Sequence, residues 1–400
     1  MKFSTTKLIT VIKTLIYPKF WWVTLQDLFS RKNEIKDIDT HIKESINWLI
    51  YGFEKTNNKG IPIAFIPKFG EKWGAPYPET TGYIIPTLIK ASEHLNNGNN
   101  LLNHAEKMGK WLISLQYSNG SFPGNHGFFT IEDSEPIVFN TGQIIFGLND
   151  CYRITKKEEF IEASNKACEW LLNIQNNDGS WQEFTYKNFA KSYHSRVSWA
   201  LLDNYLLTKN KNFKIAAKKN LNWVIENINS KGFFEYSSFG KNENAYLHTI
   251  AYTIRGLLES SKILEDNKYK KACKPAIQKL FKISEINKVL PGSFNDKWDG
   301  NYNYECITGS LQLAIIFMKC FKLEKDIRYL NAAIRINHRI MKTQKINQGL
   351  YGIRGGIKGS NPFWGKYMRF RFPNWAVKFF IDSLIMEREI LGKLKSKEVL

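Results

Sequence analysis

The sequence predicts an all-α protein, an α/α toroid of six helical hairpins, or (α/α)6 barrel, and three observations carry that prediction. First, residues 159–208 read as one unit. Phe160, Ala163, Ala167, Trp170, Leu171 and Ile174 recur at helical steps, Asn177-Asp178-Gly179 breaks the helix, and residues 195–207 resume as a helix apolar on nearly every side. Second, the unit recurs: Trp48, Trp111, Trp170, Trp223, Phe281 and Ile340 hold corresponding places at intervals of 63, 59, 53, 58 and 59 residues. Third, apolar segments follow in step at 82–92, 140–153, 195–208, 248–263, 305–321 and 374–389. Six hairpins, each with a face that only a neighbour can cover, close into a double-walled ring with the second helices inside.

One ring accounts for residues 36–400 as a single domain, since no Pro/Gly/Ser tract or low-complexity run divides the chain. Residues 1–35 stand apart as a basic amphipathic arm. Its apolar residues (Leu8, Ile9, Val11, Ile12, Leu15, Ile16, Trp21, Trp22) are interrupted by Lys7, Lys13, Pro18 and Lys19, leaving neither a membrane span nor a signal-peptide cleavage site. Such an arm suits peripheral contact with an anionic membrane or packing across the outside of the ring. Cys151, Cys168, Cys273, Cys306 and Cys320 are odd in number and lack CxxC spacing, which points to thiols in a reducing compartment. The expected location is the cytoplasm, with the inner membrane face as the place of any peripheral contact.

The 57 Lys and Arg against 37 Asp and Glu leave a formal charge of +20, which favours an anionic partner. No nucleic-acid motif accompanies the charge, so the expected partner is an acidic oligo- or polysaccharide and not nucleic acid. Aromatics make up 14% of the chain, and many fall in loops: Trp73, Tyr77, Phe122, Phe128, Phe129, Trp298, Tyr302 and Trp364. They suit sugar stacking or the plugging of a wide ring. A phosphate-binding loop, a dinucleotide fingerprint and zinc-ligand spacing are absent, so neither cofactor nor metal is expected.

The loops from outer to inner helices share one rim, and their polar residues are the candidate site. The first brings Glu79 to the mouth of an inner helix behind Tyr77, with Thr80 and Thr81 suited to capping. In the second, Asp133 and Glu135 precede Asn140, Gln143 and Gly147, which share a helix face: amides for hydroxyl recognition, then a small residue toward the funnel. The two acids alternatively complement the helix dipole. The third supplies Tyr193, His194 and Arg196, a general base beside a carboxylate fork. The fourth carries His248, Tyr252 and Arg255 on one helix face. The fifth contributes Asp299, Tyr302, Tyr304 and Glu305, with Gln312 further along. The sixth interleaves Arg354, Lys358, Lys366, Arg369 and Arg371 with Tyr351, Trp364, Tyr367 and Trp375, and Asn374 opens the last inner helix. That mixture suits a grip on a carboxylated sugar by charge and stacking.

Gln175-Asn-Asn-Asp-Gly-Ser-Trp181 resembles the QW repeat of squalene-hopene cyclases and the related prenyltransferase repeats, with Gln116-Tyr-Ser-Asn-Gly-Ser-Phe122 a weaker copy. The acid motif of those cyclases is missing, so the resemblance implies a toroid and not terpene chemistry. The wider pattern resembles six-hairpin carbohydrate enzymes: unsaturated glucuronyl hydrolases, alginate- or heparin-type lyases and the helical domain of glucuronyl 5-epimerases. Tyr77-Pro-Glu-Thr-Thr-Gly-Tyr83, Phe363-Trp-Gly-Lys-Tyr367 and residues 373–382 resemble bacterial polysaccharide-biosynthesis proteins of this toroid group.

The resemblance implies action on an acidic, uronate-containing glycan in surface polysaccharide biosynthesis. A lyase or epimerase would draw base and acid from His194, His248 and Tyr252 and hold the carboxylate with Asn140, Arg196 and Arg255. A glycoside hydrolase would instead pair two carboxylates from Glu79, Glu135 and Glu305. A noncatalytic glycan-binding or assembly factor would keep only the aromatics and arginines.

Overall fold

The computed structural model describes residues 35–67, 71–94, 98–124, 134–346 and 352–398. All but the last residue of the expected arm lies outside them, as do Phe128, Phe129, Asp133 and Tyr351.

Twelve α-helices alternate between an outer and an inner layer among the described residues. The outer ones are α1 (Ile38–Lys55), α3 (Gly98–Ile113), α5 (Glu158–Asn173), α7 (Lys211–Glu226), α9 (Asn267–Ile286) and α11 (Ile327–Met341). The inner ones are α2 (Pro78–Ser92), α4 (Val138–Thr155), α6 (Ser195–Thr208), α8 (Leu247–Leu264), α10 (Ile307–Glu324) and α12 (Asn374–Glu398). Each inner helix packs on its two inner neighbours and on the outer helix that follows it, and α12 packs on α1 and α2 to close the ring.

Side-chain caps are found on outer helices, although α5, which follows Lys157, has none. Asp37, Asn210, Asp266 and Asp326 cap α1, α7, α9 and α11 by accepting a backbone N–H. The inner helices α2, α4, α6, α8 and α10 begin without a side-chain cap. Small residues let the inner helices meet. A Cβ on Gly82 would stand 2.5 Å from Ile144 Cα, and one on Gly147 would stand 2.3 Å from the Gly82 carbonyl oxygen. Gly147 therefore serves the α2–α4 crossing and does not open space toward the funnel, as its place on the Asn140 face had suggested.

The turn motif has a mechanical role. Gln116 Nε2 donates to the carbonyls of Gly120 and of Ala163 on α5 (2.9 and 2.8 Å). Gln175 Nε2 repeats this toward Gly179 and Ala216 on α7 (3.0 and 2.9 Å). Gln344 does the same across the closure, donating to Gly355 (2.9 Å) and His41 on α1 (3.5 Å). Gly120, Gly179 and Gly355 hold φ of +91°, +88° and +78°, where a side chain is strained.

Short ladders tie the rim loops together: β1 (Ala64–Pro67) pairs with β2 (Glu71–Trp73) and with β8 (Phe372–Pro373), β3 (Ala245–Tyr246) with β4 (Ser293–Phe294), β4 with β5 (Gly300–Asn301), and β6 (Glu305–Cys306) with β7 (Ser360–Asn361). Most loop aromatics plug the ring: Tyr77, Phe122 and Trp298 are buried, and Trp73 packs on Trp48 at 4.9 Å. Tyr302 and Trp364 are exposed.

Candidate active site

The inner helices turn their N-terminal ends to one mouth of the ring, a dipole field that favours anions, while rim carbonyls take the first N–H of α4, α8, α10 and α12. All six hairpins place side chains just below it. Tyr252 on α8 is buried, with the His248 ring 4.3 Å away, Phe139 at 5.2 Å and Phe379 at 5.8 Å. Its hydroxyl lies beside that of Tyr83 without a well-formed hydrogen bond. Burial raises its pKa, and the Arg196 charge opposes the shift.

Arg196 is the buried cation of the cluster. Its guanidinium carbon sits 4.9 Å from the Tyr252 ring, 5.2 Å from Trp199, 5.6 Å from Phe146 and 5.8 Å from Tyr83 and Phe379. Its Nε donates to Gln143 Oε1 at 2.6 Å. Rings and an amide surround a desolvated charge, with no carboxylate in hydrogen-bond contact among the described residues, an arrangement poised for an anionic ligand. The Gln143 amide nitrogen is buried without a partner, and that of Asn140 is buried beside Tyr77 without a well-formed hydrogen bond. Such orphan donors are costly unless a ligand meets them.

Glu79 supplies the acid. The Tyr77 hydroxyl donates to its Oε2 at 2.6 Å. Burial raises the Glu79 carboxyl to about 7, against the Tyr77 hydrogen bond and the Arg196 charge. The side chain keeps partial accessibility although protein surrounds it, as expected of a group facing a recess. His248 meets the Gln312 amide nitrogen through Nδ1 at 2.8 Å, which leaves the ring proton on Nε2. Burial, then Arg196, push its pKa to about 3, so it is neutral. Tyr367 packs on the His248 ring at 5.4 Å and accepts from Trp375 Nε1 at 2.8 Å.

Other predicted residues stand elsewhere. His194 packs on Trp181 and Tyr193 (6.0 and 5.4 Å), behind the cluster. Arg255 lies further along α8, where it shares a cavity of about 230 Å³ with Arg196, Tyr83 and Trp199, and it pairs with Glu259 at 3.1 Å. Glu305 is fully buried but turns to the outer layer, accepting from Ser310 Oγ at 2.6 Å and pairing with Arg339 of α11. Glu135 is exposed on the rim. Asn374 spends its amide nitrogen on Pro62 O and Thr80 Oγ1 (2.9 and 2.7 Å), a closure clamp. Tyr304 is buried against Gly292 and Gly365. Arg369 is exposed, Arg371 is half-buried, and Arg354 pairs with Glu44 on the outer wall. The basic sixth loop is therefore dispersed and forms no single grip.

Sequence reading passed over Tyr83 on α2 and the Lys378–Asp382 ion pair on α12, which lines the same cavity as Arg255. A lysine and an aspartate four apart in an otherwise apolar inner helix were the available signal. Among the described residues no group of His, Cys, Asp and Glu could hold a metal ion.

No curated protein sequence matches the chain. Its fold is that of several solved enzymes. The unsaturated glucuronyl hydrolase specific for heparin superposes with a TM-score of 0.69 at 15% identity, covering 89% of this chain and 98% of that one. The unsaturated glucuronyl hydrolase of Bacillus sp. GL1 gives 0.67 at 11%, over 87% and 96%, and the cellobiose 2-epimerase of Bacillus thermoamylovorans gives 0.65 at 13%, over 88% and 100%. These likenesses establish the six-hairpin toroid expected from the repeat. The profile of the ulvan lyase N-terminal domain matches residues 105–308, about half of the chain, from α3 to the start of α10 and through the hairpins that carry Asn140, Arg196 and Tyr252. The chain belongs to the ulvan lyase N-terminal domain family.

Proposed function

We propose that this protein is a carbohydrate-active enzyme that removes the proton alpha to the carboxylate of a uronate residue in an acidic glycan, as a lyase or an epimerase. The observation that carries the reading is the Tyr252 hydroxyl, buried without a well-formed hydrogen bond beside the Arg196 guanidinium, which in turn holds Gln143 of α4. Arg196, with Asn140 and Gln143, neutralises the uronate carboxylate and so acidifies the adjacent C–H. Glu79, with a pKa near the working pH, takes that proton. In elimination the C–H electrons become a carbon–carbon double bond, the glycosidic C–O bond breaks, and the leaving oxygen receives the Tyr252 proton. In epimerisation Tyr252 instead returns a proton to the opposite face of the same carbon. Neutral His248 donates through Nε2 to a sugar oxygen.

The family name and the glycan enzymes among the structural neighbours support this reading. A hydrolase acting through paired carboxylates has less support, because Glu305 is committed to Arg339, Glu135 is exposed, and the carboxylates that share a cavity with Arg196 are already paired, Asp150 and Asp203 with Arg153 and Asp382 with Lys378. The proposed setting is the cytoplasm, in surface polysaccharide biosynthesis, with the arm as a peripheral contact to anionic membrane. All five cysteines are free and buried, and no helix among the described residues is long and apolar enough to cross a membrane.

The test is incubation with a panel of oligouronates in D2O. Ultraviolet absorbance of an unsaturated product indicates the lyase, and deuterium at the alpha carbon of an intact, inverted sugar indicates the epimerase. New reducing ends with neither signal would replace the proposal by hydrolysis.

A further inference from the structure

The loops that follow α5 and α7 enclose a groove of about 580 Å³ on the rim between the third and fourth hairpins. Its floor is aromatic. The Trp223 and Tyr236 rings lie 5.4 Å apart, tilted at 38° to each other. Trp223 is buried beneath, whereas Tyr236 keeps 44% of its surface exposed. Gln182, Asn188, Ser238 and Asn242 stand around the rings, and the groove's two charges, Asp178 and Lys241, offset each other.

The backbone here is held in an unusual state. Tyr236, Asn188 and Asn242 have φ of 61°, 48° and 62°. Asparagine tolerates that region, but tyrosine does not adopt it readily. A backbone of this shape would accept glycine without strain, so the partly exposed ring at 236 is kept at a backbone cost that its contact with Trp223 offsets only in part. The groove is also fastened to the site. Ser192 N–H donates to Tyr236 O at 3.2 Å, and buried Lys191 donates through Nζ to Phe239 O at 3.0 Å. Residues 192–194, Tyr193 among them, form the turn that leads into Arg196, and the Phe239 ring meets that of Tyr193 at 6.1 Å.

We infer that this groove is a second saccharide-binding site, which takes a neutral pyranose by stacking on Tyr236 where a glycan held at the central cluster leaves the ring. A pyranose presents an apolar C–H face to a ring and hydroxyls at its edge, and the groove offers an open aromatic face edged by amides and a hydroxyl. Balanced charge selects a neutral residue, in contrast to the cationic centre. The choice of a sugar rests on the reading of the ring as a glycan enzyme, whereas the platform and its test do not depend on Tyr252 or Arg196.

The experiment titrates the full chain with cellotetraose and, separately, with an alginate tetramer, followed by saturation-transfer NMR and tryptophan fluorescence. Cellotetraose is expected to bind with an affinity that changes less than about twofold between about 50 and 500 mM NaCl. Tyr236→Gly should weaken it by about tenfold or more, the scale of a lost stacking contact, and Tyr236→Phe should stay within about threefold of wild type. Glycine relieves the left-handed strain and so offsets part of the lost Trp223 contact, and the unfolding midpoint of Tyr236→Gly should stay within about 4 °C of the wild-type value. Tyr236→Asn, which also tolerates that φ, gives a second ring-less variant. Binding untouched by loss of the ring overturns the proposal, as does failure of wild type to bind cellotetraose, or binding of the alginate tetramer alone in a salt-sensitive way. Arg196→Met should leave cellotetraose binding unchanged while abolishing uronate turnover. A failure of the platform with that phenotype intact sinks only the second site.

Discussion

The Tyr77 hydroxyl donates to Glu79 at 2.6 Å inside the ring, and the pair holds a carboxyl whose pKa burial has raised to about 7. A folded pKa above the unfolded value near 4.5 means that the folded state prefers the protonated acid. The resulting penalty grows as pH rises from the unfolded value to the folded one and is constant above it. Glu79→Gln keeps an acceptor for Tyr77 and removes the penalty. It should therefore gain about 1–3 kcal/mol of unfolding free energy at pH 8 and almost nothing at pH 4. Urea unfolding at the two pH values checks this, and an equal effect at both would refute it. The same variant should lose turnover.

Tyr252→Phe deletes one hydroxyl and keeps the ring contacts to His248 and Phe379. Turnover should fall by about 10²–10⁴ with KM within a few fold, the mark of a group acting in proton transfer. Steady-state kinetics on an oligouronate decide it. A raised KM with unchanged kcat would reassign Tyr252 to binding.

Arg196→Met separates binding from stability. A buried cation ringed by aromatics costs desolvation without a carboxylate partner, so a flexible apolar replacement should leave unfolding free energy within about 1 kcal/mol of wild type or raise it. Uronate binding should fall at least about tenfold, since a charge-assisted contact is lost. Arg196→Lys should not restore it, because a point charge lacks the planar fork. Calorimetric titration with an oligouronate measures both variants.

Glu305→Ala should behave in the opposite way. It leaves Arg339 without its partner and Ser310 without its acceptor, which costs about 3 kcal/mol or more of stability. The turnover of the molecules that remain folded should match wild type. Loss of turnover with stability intact would return Glu305 to the chemistry.

Gly179→Ala tests the turn. Its Cβ would approach Lys219 backbone atoms to 2.5 Å at a φ of +88°, so a loss of about 2 kcal/mol or more is expected. Gln175→Ala should cost about 1–2 kcal/mol by removing its bonds to the carbonyls of Gly179, which keeps Asn220 Nδ2 as a donor, and of Ala216. Circular dichroism melts give both numbers, and a neutral Gln175→Ala would deny the staple its role.

Periodicity made the fold legible before coordinates. The spacing of Trp48, Trp111, Trp170, Trp223, Phe281 and Ile340 is a local pattern repeated six times, and the helices fall where it placed them. The site was legible only where side-chain direction follows from helix phase. Asn140, Arg196, His248 and Tyr252 point inward because α4, α6 and α8 are inner helices with a fixed face. Glu305 defeated the same logic. It precedes α10 in a two-residue strand, where the next residue's direction reverses, and Arg339 drew it outward. The sixth loop failed for a related reason: without a helix to fix phase, its cations could not be assigned a direction from sequence. Tyr83 went unnoticed because one tyrosine in an apolar helix looks like core until its neighbours across the ring are known.

The clamp of Asn374 on Thr80 spans 294 residues, and the Gln344 staple on His41 spans 303. Each hairpin can form from near neighbours, but these bonds exist only once the last helix has found the first. Entropy of so long a loop makes that encounter the slowest native contact to establish. Since Glu79, Arg196, Tyr252 and Tyr367 come from hairpins one, three, four and six, no partially assembled ring presents them together. The last helix is thus a keystone, and catalytic competence during refolding should appear in step with its docking, well after helical signal has reached its final value.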